Sequence, residues 1–146
     1  MSANRAMAVL AGLWAGILLA IGLIGAPAGF ATLAVSADAG RVAGRMFAQE
    51  AYLGLGAAIV LFLLERSRAR RAAEAGQGSA LNANMLLLLG ALFCTVAGYF
   101  ALQPMMAAAR AGQGPWSFGA LHGVSAAFFG LKALLVLTLA WRLAPR

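Results

Sequence analysis

The sequence has little of what soluble enzymes and secreted domains depend on. Its single cysteine, Cys94, excludes a disulfide within the chain and a cysteine-based zinc knuckle. It also has only one histidine and four acidic residues in 146. The GxxxxGK and GxSxG motifs are absent, so the common nucleotide-binding and serine-hydrolase signatures are missing. Nothing in the sequence therefore argues for an enzyme, and no cofactor can be named from it.

Hydrophobic residues are what the chain has in abundance. They make up 63% of it, against 10% charged residues, which is more apolar than a soluble domain of this length can bury. Four apolar runs, at about residues 6–35, 46–65, 81–103 and 116–142, are each long enough to cross a bilayer, which takes roughly 20 residues. The sequence predicts an all-α integral membrane four-helix bundle with up-down-up-down topology, forming a single transmembrane domain over residues 1–146.

The boundaries of these spans follow from prolines and polar breaks. The first run also imitates a secretory signal peptide, with Arg5 before it and Ala26-Pro27-Ala28 as a cleavage-like site. We favour a retained helix that Pro27 bends. The polar segment 36–45 is expected to end the first crossing as an interfacial helix, and Pro104 is expected to stop the third span.

Positive charge is distributed unequally between the two ends of the predicted helices. Seven arginines fall at one end and three at the other: Arg5, Arg66, Arg68, Arg70, Arg71, Arg142 and Arg146, against Arg41, Arg45 and Arg110. By the positive-inside tendency, both termini and a basic loop over residues 66–80 are predicted to be cytoplasmic in a multi-pass membrane protein. The four loop arginines, Arg66, Arg68, Arg70 and Arg71, suit anionic lipid headgroups or a cytoplasmic partner. Lipid thus explains the net charge of +7 better than nucleic acid does.

The last span carries a polar stripe. A histidine and a lysine within a membrane helix are costly unless they are paired, wetted or able to reach the interface. At about 100° per residue, His122, Ser125, Phe129 and Lys132 fall within an arc of roughly 80°. If the protein has a site, this stripe is where it is expected.

A small polar pocket is predicted where the second and fourth spans begin. Glu50 is four residues into its span from Met46, and His122 is four residues into its own from Phe118. Their depths should therefore match, and we expect them to face each other, with Ser125 one turn deeper and Gln49 or Tyr52 beside them. The alternative is two independent residues satisfied by headgroups and water.

Lys132 lies deeper than either acid of the second span on these boundaries. Its charge is expected to be met by backbone carbonyls, water or a lipid phosphate, or the amine to be neutral. A metal site would draw on His122 with the sulfur atoms of Met105 and Met106, because imidazole and thioether suit Cu(I). The alternative for both methionines is ordinary packing.

Several short motifs resemble a known family. They are LWAG at Leu13 to Gly16, a proline shortly before GFATL, the link AGRVAGRMF, and LHGVS at the start of the last span. Together they resemble the four-helix membrane proteins grouped with transmembrane protein 205, which are distantly similar to the copper-resistance D membrane domain. The resemblance implies four helices with both ends cytoplasmic, and it matches His122 and Ser125 to the family's histidine and serine. Members have been linked to metal-drug resistance.

Three functions are compatible with these features. The first is small-solute or metal handling or resistance at the membrane. The second is a non-catalytic structural or accessory subunit, in which glycines four apart, such as Gly12 and Gly16, support packing against lipid-embedded partners or a homo-oligomer. The third is a redox protein that holds haem or quinone. Because each chain has one histidine, two histidines could ligate a haem only across a dimer.

Overall fold

The computed structural model describes residues 3 to 145, and within them it contains no strand. Four helices are each long and apolar enough to cross a membrane, and we number them in chain order. They are α1 (Ala3–Thr32), α2 (Ser36–Glu74), α3 (Ala83–Arg110) and α4 (Phe118–Leu143). The all-α membrane four-helix bundle is thus confirmed.

The helices form a ring in which each packs on its neighbours in the order α1, α4, α3, α2. Consequently α2 and α4 lie diagonally across the bundle. The main core contains Trp14, Leu18, Leu61 and Val136, all fully or almost fully buried. Large apolar side chains also cover the outside, as Leu23 does with 72% of its surface exposed. Such a surface suits contact with lipid rather than water.

The second helix is much longer than its apolar run. It begins ten residues before the predicted start at 46 and continues through Glu74, which absorbs the segment 36–45 and more than half of the predicted loop 66–80. Alanine and arginine are good helix formers, so this polar sequence extends the helix at little cost. At 1.5 Å per residue, 39 residues reach about 58 Å, well beyond a hydrocarbon core of about 30 Å. The helix ends just before Gly76, whose φ of 71° is available to glycine without strain.

Both membrane-embedded prolines lie inside continuous helices. A π-helical segment precedes each one, Ile21–Gly25 before Pro27 and Val96–Ala101 before Pro104. Proline lacks an N–H and crowds the carbonyl four residues earlier, and a wider turn just upstream accommodates both effects. The prediction that Pro104 ends the third span is therefore wrong, since α3 runs on to Arg110.

The π-helical segment in α1 changes which helix it packs against. Residues Ala3–Ala20 contact α4 as well as α2, whereas Ala26–Thr32 packs chiefly on α2. At Gly22 α1 still lies close to α4, because an added Cβ there would lie 3.0 Å from Phe129 Cε1. Beyond that point the second half of α1 diverges from α4 and leaves a cavity.

Candidate functional site

A buried ion pair joins α2 to α4 in the middle of the bundle. Lys132 Nζ donates a hydrogen bond to Glu50 Oε2 at 2.6 Å, and the two residues are only 3% and 2% exposed. Trp14 of α1 donates its indole N–H to Glu50 Oε1 at 3.1 Å. Each carboxylate oxygen thus has a donor, and one acid connects three of the four helices.

The two charged residues meet because they lie at the same depth. Glu50 is 14 residues after Ser36, and Lys132 is 14 residues after Phe118, which are the first residues of their helices. This corresponds to about 21 Å along each helix. The expectation that Lys132 has no acid at its depth is wrong, and its charge is met by Glu50 rather than by backbone, water or lipid.

Glu50 was predicted to face His122, and not Lys132, because the second helix was predicted to begin ten residues later than it does. Counting from Met46 placed Glu50 level with His122, but α2 begins at Ser36, which moves Glu50 about 15 Å deeper along its helix. His122 is not a hydrogen-bond partner of Glu50 among the described residues. The signal that could have identified the pair is that residues 36–45 contain no proline and are half alanine and arginine, so the helix can continue through them.

Two further contacts shape the surroundings of the ion pair. A Cβ on Gly54 would lie 2.8 Å from Glu50 Oε1 and 3.0 Å from Trp14 Nε1, so a glycine is needed for the indole to reach the carboxylate. The ring of Phe129 is centred 5.3 Å from Lys132 Nζ, within the range of a cation–π contact. Sequence reasoning identified neither Trp14 nor Gly54 as part of a site.

A cavity of about 1070 Å³ extends from this ion pair toward the end of the bundle where α2 and α4 begin. Its walls are mainly aliphatic, aromatic and glycine residues, including Leu18, Phe30, Phe47 and Gly44. Glu50 and Lys132 are its buried floor. Because exposed residues of α1 such as Leu23 and Phe30 also line it, the cavity is bordered by the lipid-facing surface.

The rim of the cavity is cationic and aromatic. The guanidinium of Arg110 lies 4.4 Å from the centre of the Phe118 ring, and the same ring stacks on His122 with centroids 5.7 Å apart and an angle of 18°. Arg41, also on the rim, pairs with Asp38 one turn earlier in α2. Among residues 3 to 145, Arg110 forms no ion pair with an acid.

The polar stripe of the last span follows the cavity wall. His122, Ser125, Phe129 and Lys132 all line it. Ser125 donates its hydroxyl to the carbonyl of Gly98 in the π-helical segment of α3, at 2.8 Å. This bond joins α3 to α4 and leaves the serine oxygen as an acceptor.

The other candidates are only partly brought together. Gln49 is exposed and does not line the cavity, and Tyr52 is exposed and packs edge-on against Phe100. Met106 lines the cavity with His122, but Met105 does not. Among residues 3 to 145 there is no group of three histidine, cysteine or acidic side chains placed to hold a metal.

A second polar network lies at the opposite end of the bundle. Glu65 is fully buried, and its Oε1 accepts hydrogen bonds from Arg68 at 2.8 Å, Asn82 at 2.8 Å and Asn84 at 3.3 Å. Asn84 in turn accepts from Arg142 Nε of α4 at 2.7 Å. On the predicted boundaries Glu65 is the last residue of the second span, and Asn82 and Asn84 lie at the start of the third, but no pattern in the sequence joined them.

The four arginines of the predicted basic loop lie on the last turns of α2. Arg68 is bound to Glu65, and Arg71 donates to the backbone and hydroxyl of Ser67. Arg66 and Arg70 line a shallow groove of about 370 Å³ with Arg71. The structure therefore presents these charges on a helix surface and not on a mobile loop.

Comparison with known proteins identifies the family of this chain. No curated protein and no solved structure matches the chain. A family model described as a domain of unknown function, DUF4149, matches residues 9–114. That range covers α2 and α3 with most of α1, and so includes Trp14 and Glu50, while Lys132 and the rest of α4 lie beyond it. The chain belongs to the DUF4149 family of uncharacterised proteins.

Proposed function

We propose that this protein binds a small amphipathic solute inside the membrane, in the cavity between the diverging half of α1 and helices α2 to α4. The observation that carries the proposal is the cavity of about 1070 Å³ that ends on the Glu50–Lys132 pair. Ligand pockets are typically about 300–1000 Å³, largely apolar, and carry a few placed polar groups. This cavity lies just above that size range and has that composition.

The floor of the cavity can interact with a solute that reaches it. An ammonium group carries three N–H donors, and Glu50 is the one acceptor that Lys132 has within residues 3–145. Lys132 lines the cavity, so a carbonyl, hydroxyl or ether oxygen of a bound solute could accept one of the remaining donors. A buried charge kept next to a cavity is more typical of a functional site than of packing alone.

The structure offers less support for metal handling or redox chemistry, two functions that the sequence allowed, than for solute binding. Only His122 and Met106 of the three metal candidates line the cavity, and one imidazole with one thioether is too few ligands for a convincing Cu(I) site. The resemblance to transmembrane protein 205 and to the copper-resistance D domain is the basis for metal-linked resistance. An accessory role for the arginine-bearing end of α2 stays a separate hypothesis, without a contact that favours it.

We further propose that the arginine-rich end is cytoplasmic, which would make the cavity open toward the outer side. The support is the excess of arginine at that end, including Arg66 and Arg70 at the surface of α2. A topology reporter fused at Gly76 tests this orientation, and activity only on the outside would reverse it.

The test of solute binding is to fill the cavity. Gly44 lines the cavity and Gly56 lies on the same helix outside it; a Cβ at either position meets nothing within 4 Å. Gly44→Leu should therefore reduce binding without disturbing the bundle, and Gly56→Leu is the matched control. The probes are photoreactive diazirine analogues of hexadecanol and palmitate, added to the purified protein in lipid nanodiscs.

The expected result is saturable labelling of cavity residues by at least one probe, reduced about 10-fold or more in Gly44→Leu and unchanged in Gly56→Leu. Peptide mapping by mass spectrometry identifies the labelled residues. Equal labelling of the parent and Gly44→Leu, or labelling confined to outward-facing residues by both probes, would remove the proposed function.

A further inference from the structure

We infer that the solute is an anionic amphiphile whose head group binds at Arg110 on the rim, with its apolar body extending into the cavity. This inference rests on the proposed function and adds the chemical class of the ligand and its orientation. It rests on the distribution of charge around the cavity: positive and negative charges are balanced at the floor, whereas the rim carries a cation without an acidic partner among the described residues.

The charged side chains of the cavity present more hydrogen-bond donors than free acceptors. Lys132, Arg41 and Arg110 are cationic donors that line it. The carboxylate of Glu50 already accepts from Trp14 and Lys132, and Asp38 is engaged by Arg41. A ligand that supplies acceptors therefore complements these walls better than one that supplies donors.

The anion is expected at the rim and not at the floor. At the floor, Glu50 already balances Lys132, and a second carboxylate beside the pair would be an uncompensated negative charge in a site that excludes water. At the rim, Arg41 is balanced by Asp38. Of the arginines and the lysine that line the cavity, Arg110 is therefore the one without an acidic partner among residues 3–145. Net positive charge in the lining is thus concentrated at Arg110.

Arg110 is also held in place for binding. Its guanidinium lies over the Phe118 ring at 4.4 Å, and Phe118 is in turn stacked against His122. Stacking restrains the long side chain, so less conformational freedom is lost when an anion binds. The planar fork of N–H groups then remains available for a carboxylate or a phosphate.

An apolar body fits the remaining volume. Below the rim the walls are formed by apolar side chains, and exposed cavity residues of α1, Leu23 and Phe30, border the lipid-facing surface. An amphiphile could enter sideways between α1 and α4 while its head stays near the membrane interface. Both ends of the ligand then match their surroundings.

The experiment compares the two photoreactive probes, which share a chain and differ in the head group. We expect the palmitate analogue to label the parent protein at about 10-fold lower concentration than the hexadecanol analogue. Arg110→Gln should abolish this preference, and Arg110→Lys should retain part of it. The control is Arg45→Gln, which removes the same charge at the same end of the bundle from a residue outside the cavity lining.

The outcomes separate this inference from the proposed function. Equal saturable labelling of cavity residues by both probes would overturn the anion preference and leave solute binding intact. An equal loss in Arg110→Gln and Arg45→Gln would also overturn it, because general attraction of anions would then explain the preference. Unlabelled palmitate and unlabelled lysophosphatidate are then compared as competitors of the labelled palmitate analogue, and the stronger competitor identifies the preferred head group. If neither anion displaces the probe, that result counts against the inference.

Discussion

Replacing Lys132 by methionine should destabilise the protein strongly, because the substitution leaves Glu50 buried without its counter-ion. Methionine is unbranched and only one atom shorter than lysine, but it cannot donate a hydrogen bond. Glu50 is 2% exposed and lies about 21 Å along its helix, and its other donor, the indole N–H of Trp14, carries no formal charge. Breaking a buried ion pair in this way costs about 3–5 kcal/mol.

The double variant distinguishes the pair from the individual side chains. Glu50→Gln removes the acid's charge but retains an acceptor for Trp14 Nε1. In Glu50→Gln with Lys132→Met no buried charge is left at this site, so stability should return to within about 1–2 kcal/mol of the parent. The two single substitutions should therefore be strongly non-additive, with a coupling free energy of about 2 kcal/mol or more.

The free energy of unfolding is measured in mixed micelles by titration with sodium dodecyl sulfate, using the helical circular dichroism signal. Leu131→Met is the matched control, because Leu131 precedes Lys132 and is exposed on the outer surface of α4. It should change stability by less than about 0.5 kcal/mol. A cost below about 1 kcal/mol for Lys132→Met, or simple additivity in the double variant, would refute the assignment of a buried, directly coupled pair.

Two further predictions concern helix packing and the second polar network. Gly98→Ala should destabilise the protein by about 1–3 kcal/mol, since the new methyl group would collide with Cβ of Phe128. Gly123→Ala is the control and should not destabilise it, because a Cβ there meets nothing within 4 Å. Equal thermal stability of the two variants would contradict this packing. Glu65→Gln should cost about 1.5–3 kcal/mol and increase protease cleavage within residues 75–82, because it weakens charge-assisted hydrogen bonds. Glu74→Gln at the exposed end of α2 is its control, and identical cleavage of both variants would count against an organising role for Glu65.

The number and approximate position of the membrane helices could be predicted from the sequence, because hydropathy is a sum over neighbouring residues. The same local reasoning marked Lys132 as a residue that needs compensation and put His122 and Ser125 on one helical face. These are properties of a single helix, which depend only on its length, composition and period of 3.6 residues.

The ends of the helices and the effects of the prolines were harder to predict from the sequence. Residues 36–45 and 66–74 are polar but helix-compatible, so polarity alone placed the boundaries of α2 too close together. Pro104 was expected to break a helix that a π-helical segment allows to continue. In the first case polarity predicted an end where helix propensity allows the helix to continue, and in the second a proline predicted an end where the apolar run continues. In both cases the helix continues, because its backbone hydrogen bonding can be maintained.

The partner of Lys132 was decided only by the tertiary structure. Glu50 and Lys132 are 82 residues apart on helices that face each other diagonally, and neither local pattern specifies the rotation or the depth of the other helix. The divergence of α1 from α4, which creates the cavity, likewise depends on how α1, with its π-helical segment Ile21–Gly25, packs against the other helices. Interactions between helices have no fixed spacing along the chain, so the ion pair, the cavity above it and the placement of Arg110 on its rim become visible only once the four helices are assembled.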